Sequence, residues 1–155
     1  MFGELIDLKF MDMAIIEAKK AFSDNEVPVG CVIVHNAQII AQSHNTTEKE
    51  SDATCHAEIN AIKEAEKFLK QKVLNECDMY VTLEPCPMCT GAIINSRIKR
   101  LVYGASDYKA GSCGSVVNLF ELPYNHKPEV VAGFMQEECA QKLTDFFKNL
   151  RKIKG

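Results

Sequence analysis

The sequence predicts an α/β domain in which helices pack on a mixed sheet. Two observations carry that expectation. Short apolar runs of strand length alternate along the chain with longer segments whose apolar residues recur at helical spacing. The 155 residues are 46% apolar and 25% charged, a globular composition long enough for one substantial core. No run approaches the length of a membrane span, and no repeat, low-complexity stretch or linker interrupts the chain. A single domain over residues 1–155 is expected.

Each element follows from its own pattern. Residues 5–22 place Leu5, Leu8, Met11, Ile15, Ala18 and Phe22 at helical spacing and predict an amphipathic helix. Residues 29–34 are a short apolar run suited to a buried strand. His35, Asn36 and Ala37 form a turn into a second strand, 38–44. Residues 45–53 are polar and predict a loop. Thr54 is suited to cap a helix that carries His56, Glu58, Ile62 and Ala65 and ends near Leu69. Residues 78–83 predict a third strand. Pro85 and Pro87 suit the first turn of the next helix, where the missing N–H costs nothing, and that helix runs to about Ser96. Residues 100–104 predict a fourth strand, 105–115 a glycine-containing loop and 129–132 a short fifth strand. A final helix over 136–151 places Cys139, Leu143, Phe146, Phe147 and Leu150 on one apolar stripe.

A net charge of −3 does not mark a nucleic-acid protein, but the distribution says more. Near the C-terminus Lys142, Lys148, Arg151, Lys152 and Lys154 face one acid, Asp145, which leaves +4. Such a run is either a solvated helix face or a local phosphate-binding surface. Residues 1–5 lack a basic region followed by an apolar one, so no signal peptide is read and a cytoplasmic location is expected. Of seven cysteines only Cys86 and Cys89 are spaced as a metal pair. In a reducing compartment Cys31, Cys55, Cys77, Cys113 and Cys139 are expected to be small buried apolar residues.

His56-Ala57-Glu58 and Pro85-Cys86-Pro87-Met88-Cys89 carry the chemistry. One imidazole and two thiolates are three good zinc ligands. With no fourth in view, the last position falls to water, as in catalytic sites. Cys86 and Cys89 lie three apart at the start of a helix. They face the same way and feel the positive end of its dipole, which favours thiolate over thiol. His56 and Glu58 are two apart and cannot share a helix face. Both can reach a metal only if it lies off the end of their helix, which places zinc between two helix N-termini. Two thiolates and a neutral histidine cancel the ion's charge and leave it a weak Lewis acid. A carboxylate within reach, Glu58, compensates by accepting the proton of the coordinated water. A lone C-x-x-C would suit redox chemistry or structural zinc equally well. The flanking proline, the upstream H-x-E and the strand-to-helix context favour catalysis. The combined H-x-E…P-C-x-x-C pattern resembles that of the zinc-dependent nucleoside and nucleobase deaminases, a match of pattern and not a derivation.

The resemblance runs from about Phe10 to Arg151. Glu26-Val27-Pro28-Val29-Gly30, His44-Asn45, the segment 82–93, Ser96-Arg97-Ile98, Gly104-Ala105-Ser106-Asp107, the segment 111–115 and Asp145-Phe146-Phe147 resemble the bacterial tRNA-specific adenosine deaminases. That resemblance implies a cytidine deaminase-like, three-layer α/β fold with a five-stranded mixed sheet and helices on both faces. It implies deamination of adenosine to inosine at the wobble position of an arginine tRNA, by a homodimer with one zinc per chain. Carried over by position, His56, Cys86 and Cys89 would bind zinc and Glu58 would shuttle the proton. Asn45 would hydrogen-bond the flipped base and Val29 would help sandwich it. Asp107 would contact the backbone of the anticodon stem-loop, and Phe147, Lys148 and Arg151 would lie in an RNA-binding C-terminal helix. Plainer roles exist for three of them: Asn45 as a turn residue, Asp107 as a loop cap, Phe147 as core filler. The chain departs from the family in its loop 46–52, where Glu48, Glu50 and Asp52 against Lys49 leave −2. Ala53 stands where proline is familiar and Cys55 where alanine is. Two other readings compete: a deaminase of a free base or nucleoside such as guanine or cytosine, and a non-catalytic subunit that holds zinc and only binds RNA. The basic C-terminal helix argues against the first and the presence of Glu58 against the second.

Overall fold

A computed structural model describes residues 2–154. Its strands are β1 (Gly30–His35), β2 (Gln38–His44), β3 (Cys77–Leu83), β4 (Arg100–Ala105) and β5 (Glu129–Val131). Its helices are α1 (Phe2–Ser23), α2 (Thr47–Glu50), α3 (Ala57–Leu69), α4 (Pro87–Ser96) and α5 (Gln136–Lys154), with a 3-10 turn at Leu119–Glu121. The sheet order is β2-β1-β3-β4-β5. β1 is antiparallel to both β2 and β3, whereas β3, β4 and β5 run parallel. The expected mixed five-stranded sheet is therefore present, each strand within one or two residues of its sequence reading.

Alternation along the strands sorts the core into two layers. Cys31, Ile33, Met79, Val81, Leu101 and Tyr103 pack with Ala57, Ala61 and Ile62 of α3 and Ile93 and Ile94 of α4. Val32, Val34, Tyr80 and Val102 face the other way, onto Phe10, Met11, Ala14 and Ile15 of α1 and Cys139 of α5. Helices thus cover both faces. Gly30 shows how closely α1 approaches: a Cβ there would lie 1.9 Å from the carbonyl oxygen of Ala14. One polar cluster spans the layers. Arg100 on β4 donates from both terminal nitrogens to Asp7 of α1, at 2.9 and 2.7 Å, and the Tyr80 hydroxyl donates to the same carboxylate at 2.6 Å.

Some local readings are corrected. Leu5 and Leu8 are exposed, and α1 buries Asp7, Phe10, Met11, Ala14, Ile15, Glu17, Ala18 and Ala21 instead. Thr54 does not cap α3: its hydroxyl and N–H both donate to Asp52, and extended His56 is the capping residue. Pro87 opens α4, whereas Pro85 lies before the Cys86 cap. The loop 45–53 contains the single turn α2. Phe147 is 44% exposed, so it does not belong to the buried stripe of α5, where Cys139 and Phe146 are buried. Cys55 is only partly buried, unlike Cys31, Cys77, Cys113 and Cys139.

Candidate active site

The sheet topology brings several segments to one end. Gly30, at the start of β1, pairs with His44 at the end of β2, and Leu83 pairs with Ala105 where β3 and β4 finish. Val29 directly precedes Gly30, Asn45 and Glu84 directly follow His44 and Leu83, Asp107 lies two residues past Ala105, and all four line a common cleft. Val27, Thr47, His56, Ala57, Glu58, Leu83, Cys86 and Ala110 complete it. Open α/β sheets place their crevices at the carboxyl ends of parallel strands, and β3 and β4 do so here.

Two helix starts meet in this cleft. His56 caps α3 and Glu58 lies in its first turn; Cys86 caps α4 and Cys89 lies in its first turn. Neither cap uses its side chain on its own helix, which leaves the imidazole and the thiol free to face each other. His56 Nδ1 stands 3.5 Å from Cys86 Sγ and 3.5 Å from Cys89 Sγ. The three donor atoms form a group able to hold a metal ion, and Cys55 is not among them. The Cys86 sulfur is held down to about 4, first by the thiol of Cys89 and then, against burial, by His56. Cys89 is pushed up in turn, because it is the donor of that pair. Hydrogen bonding to Cys86 raises His56. Glu58 is 4% exposed, and burial pushes its carboxyl up to about 7.

Asn45 is 6% exposed, and its Oδ1 is buried with no hydrogen-bond partner among the described residues. Its backbone is fixed: the N–H donates to Val29 at 3.1 Å, and Asn60 Nδ2 donates to His44 O and Thr46 Oγ1, both at 3.0 Å. Asp107 Oδ1 accepts from the N–H groups of Lys109 and Ala110, which is the loop-capping geometry read as its plainer role. Val29, Asn45, His56, Glu58, Cys86 and Asp107 therefore share one cleft, with Cys89 behind Cys86. Phe147, Lys148 and Arg151 do not line it; they are exposed on α5, across the sheet from α3 and α4.

Glu26, and Glu84 within the segment 82–93, have a larger part than their motifs suggest. Glu26 and Glu84 are 1% and 2% exposed, and each accepts hydrogen bonds from a loop at the cleft. At Glu84, burial raises the carboxyl but the Ser115 hydroxyl and three backbone N–H groups outweigh it and hold it low. Sequence offered no signal for Glu26, which follows the polar Ser23-Asp24-Asn25, and for Glu84 only an acid at the end of a strand-like run.

This fold and donor group define a deaminase of the cytidine deaminase-like class. The family model of the MafB19-like deaminases matches residues 6–151. A tRNA-specific adenosine deaminase of Bacillus subtilis (strain 168) is 48% identical over 149 residues, covering 96% of this chain and 92% of that one. One of Rickettsia typhi (strain ATCC VR-144 / Wilmington) is 47% identical, covering 91% of this chain and 97% of that one. A solved structure from a study of A-to-I editing by tRNA:A34 deaminases at the wobble position superimposes with a TM-score of 0.86 at 44% identity, covering 88% of this chain and 99% of that one. The chain belongs to the tRNA-specific adenosine deaminase family.

Proposed function

We propose that this chain deaminates adenosine to inosine at the wobble position of a tRNA anticodon loop, with an arginine tRNA as substrate. Its working form is a cytoplasmic homodimer with one zinc per chain. The observation that carries the reading is the meeting of one buried carboxylate, Glu58, with the donors of His56, Cys86 and Cys89 in a single cleft. The donor set suits zinc: ligands at usual zinc–sulfur and zinc–nitrogen lengths in a tetrahedron stand about 3.6 Å apart, and the observed nitrogen–sulfur separations are 3.5 Å. When bound, zinc supplies the Lewis acidity that makes water a nucleophile near neutral pH.

The chain's own residues do the rest. Glu58 accepts a proton from the attacking water and delivers it to N1 of the adenine ring as oxygen adds to C6. The remaining water proton passes by the same carboxylate to the amino group. The C6–N bond breaks, ammonia leaves, and the C6 carbonyl of inosine remains. The unpartnered amide of Asn45 offers a buried edge that a nucleobase can satisfy. Val29, Ala57 and Leu83 give apolar walls for an unstacked ring. Asp107, on the cleft wall, would contact the anticodon backbone, and exposed Phe147, Lys148 and Arg151 would supply an aromatic and two cations for RNA outside the cleft.

Incubation with an anticodon stem-loop carrying adenosine at the wobble position, beside free adenosine, cytosine and guanine, tests the proposal. Inosine should form in the stem-loop alone. Deamination of free guanine or cytosine, with none in the stem-loop, would overturn it.

A further inference from the structure

Resting on the reading of the cleft as a nucleotide pocket, we propose that Glu26 and Glu84 are positioning residues that hold its two rims. Both are among the most buried side chains, and among the described residues neither pairs with a lysine, arginine or histidine. Their oxygens are spent on loops. Glu26 Oε1 accepts from Glu48 N at 3.0 Å and Oε2 from Lys49 N at 2.8 Å. Those N–H groups open α2, which has no side-chain cap of its own and carries Thr47 on the cleft wall. Glu84 Oε1 accepts from Asp107 N at 3.1 Å and from the Ser115 hydroxyl; Oε2 accepts from Cys113 N and Ser115 N, both at 3.0 Å. These bonds gather residues 107–115 around one carboxylate, and Asp107 and Ala110 form the facing wall.

Gly111 supports the assignment independently. A Cβ there would fall 2.4 Å from Glu84 Cδ and 2.4 Å from the Asp107 carbonyl oxygen, so the loop is shaped around the carboxylate. An apolar side chain at either position would leave these loop N–H groups without acceptors, so each carboxylate fixes the loop it binds. What two buried carboxylates add is a fixed position for irregular backbone on either side of a reacting base. Misplacement of about 1 Å can cost on the order of 10²-fold in rate.

The test uses Glu84→Gln, Glu26→Gln and Gly111→Ala in the zinc-loaded full chain. Each glutamine turns an amide donor toward backbone donors. Hydrogen exchange at Asp107, Cys113 and Ser115 should quicken about 10–100-fold in Glu84→Gln, the scale of one lost hydrogen bond to a charged group. Gly111→Ala should reproduce that pattern by displacing the carboxylate. Glu26→Gln should loosen Glu48 and Lys49 instead. Amides of β1, β3 and β4 should stay protected and zinc content should hold. On the anticodon stem-loop KM should rise and kcat/KM should fall roughly 10–100-fold. A purely structural role would lower Tm and the active fraction but leave KM at the parent value, and that result overturns the proposal. So do loosened rim amides with unchanged kcat and KM. Should Glu84→Gln fail to fold, Gly111→Ala carries the same criteria. Inosine formation by the parent reports separately on the reading of the cleft, and the exchange pattern reports on the rims whether or not that reading holds.

Discussion

Glu58 and Asn45 are buried polar groups whose placement serves the cleft and not the core. Glu58→Gln keeps shape and burial but cannot accept a proton. Deamination should fall about 10²–10⁴-fold, while zinc content and melting temperature stay near parent values. Near-parent turnover in a zinc-loaded Glu58→Gln protein would place the shuttle elsewhere. Asn45→Ala removes an amide whose Oδ1 has no hydrogen-bond partner among the described residues. It should cost little stability, and it should reduce kcat/KM more than stem-loop affinity, because backbone contacts carry affinity and base contacts discriminate. Equal losses in both measurements would make Asn45 a turn residue only. The site was legible at this scale where chemistry and spacing coincide, at His56, Glu58, Cys86 and Cys89. Glu26 and Glu84 were not, because their partners are backbone N–H groups 22 to 31 residues away, which no side-chain pattern encodes.

Among the elements, α5 separates the two substrate classes. It presents Lys148 and Arg151 to solvent, with Phe147 beside Phe146 at 5.4 Å between ring centroids. If α5 binds phosphates, stem-loop affinity should weaken steeply with salt through counterion release. Replacing Lys148 and Arg151 by Ala should flatten that slope by about one unit per lost contact. An unchanged slope would remove α5 from the interface. β1, β3 and β4 were legible because each is a short, largely apolar run buried along most of its length. Helix starts and faces were less so. α1 buries Asp7 where its stripe would want an apolar residue, and Arg100 and Tyr80, 93 and 73 residues away, make that acceptable. Four-residue α2 is shorter than any periodic window. Thr54 is a good capping type, yet Asp52 engages its hydroxyl, and the cap passes to His56, which puts the imidazole at the helix end.

For the whole molecule, the Asp7–Arg100–Tyr80 cluster ties α1 to β3 and β4 and gives a pH dependence with a definite sign. Hydrogen bonds from Arg100, and then Tyr80, hold the Asp7 carboxyl below its usual range against the opposing effect of burial. A depressed folded-state value contributes stability that is complete above the unfolded value, about 3.9, and is lost as pH falls through the folded one. Asp7→Asn should cost about 1.5–3 kcal/mol near neutral pH by removing the charged hydrogen-bond partner of Arg100, which keeps only its longer pairs with Asp78 and Glu129. It should also make acid unfolding below about pH 4 shallower. Parallel acid limbs in the two proteins would show that the cluster does not titrate on unfolding. The strand order was beyond the sequence, since pairing β1 with β3 is a long-range choice made by both helix layers. The end of the sheet where the cleft opens follows from that order, and the chemistry of the family follows from the cleft. The most direct test is position-resolved inosine mapping of an arginine tRNA after incubation with the zinc-loaded protein, with zinc-loaded Glu58→Gln alongside. The account predicts conversion of the wobble adenosine alone, and its loss in the variant. Conversion at other adenosines, no conversion at all, or equal conversion by both proteins would contradict it.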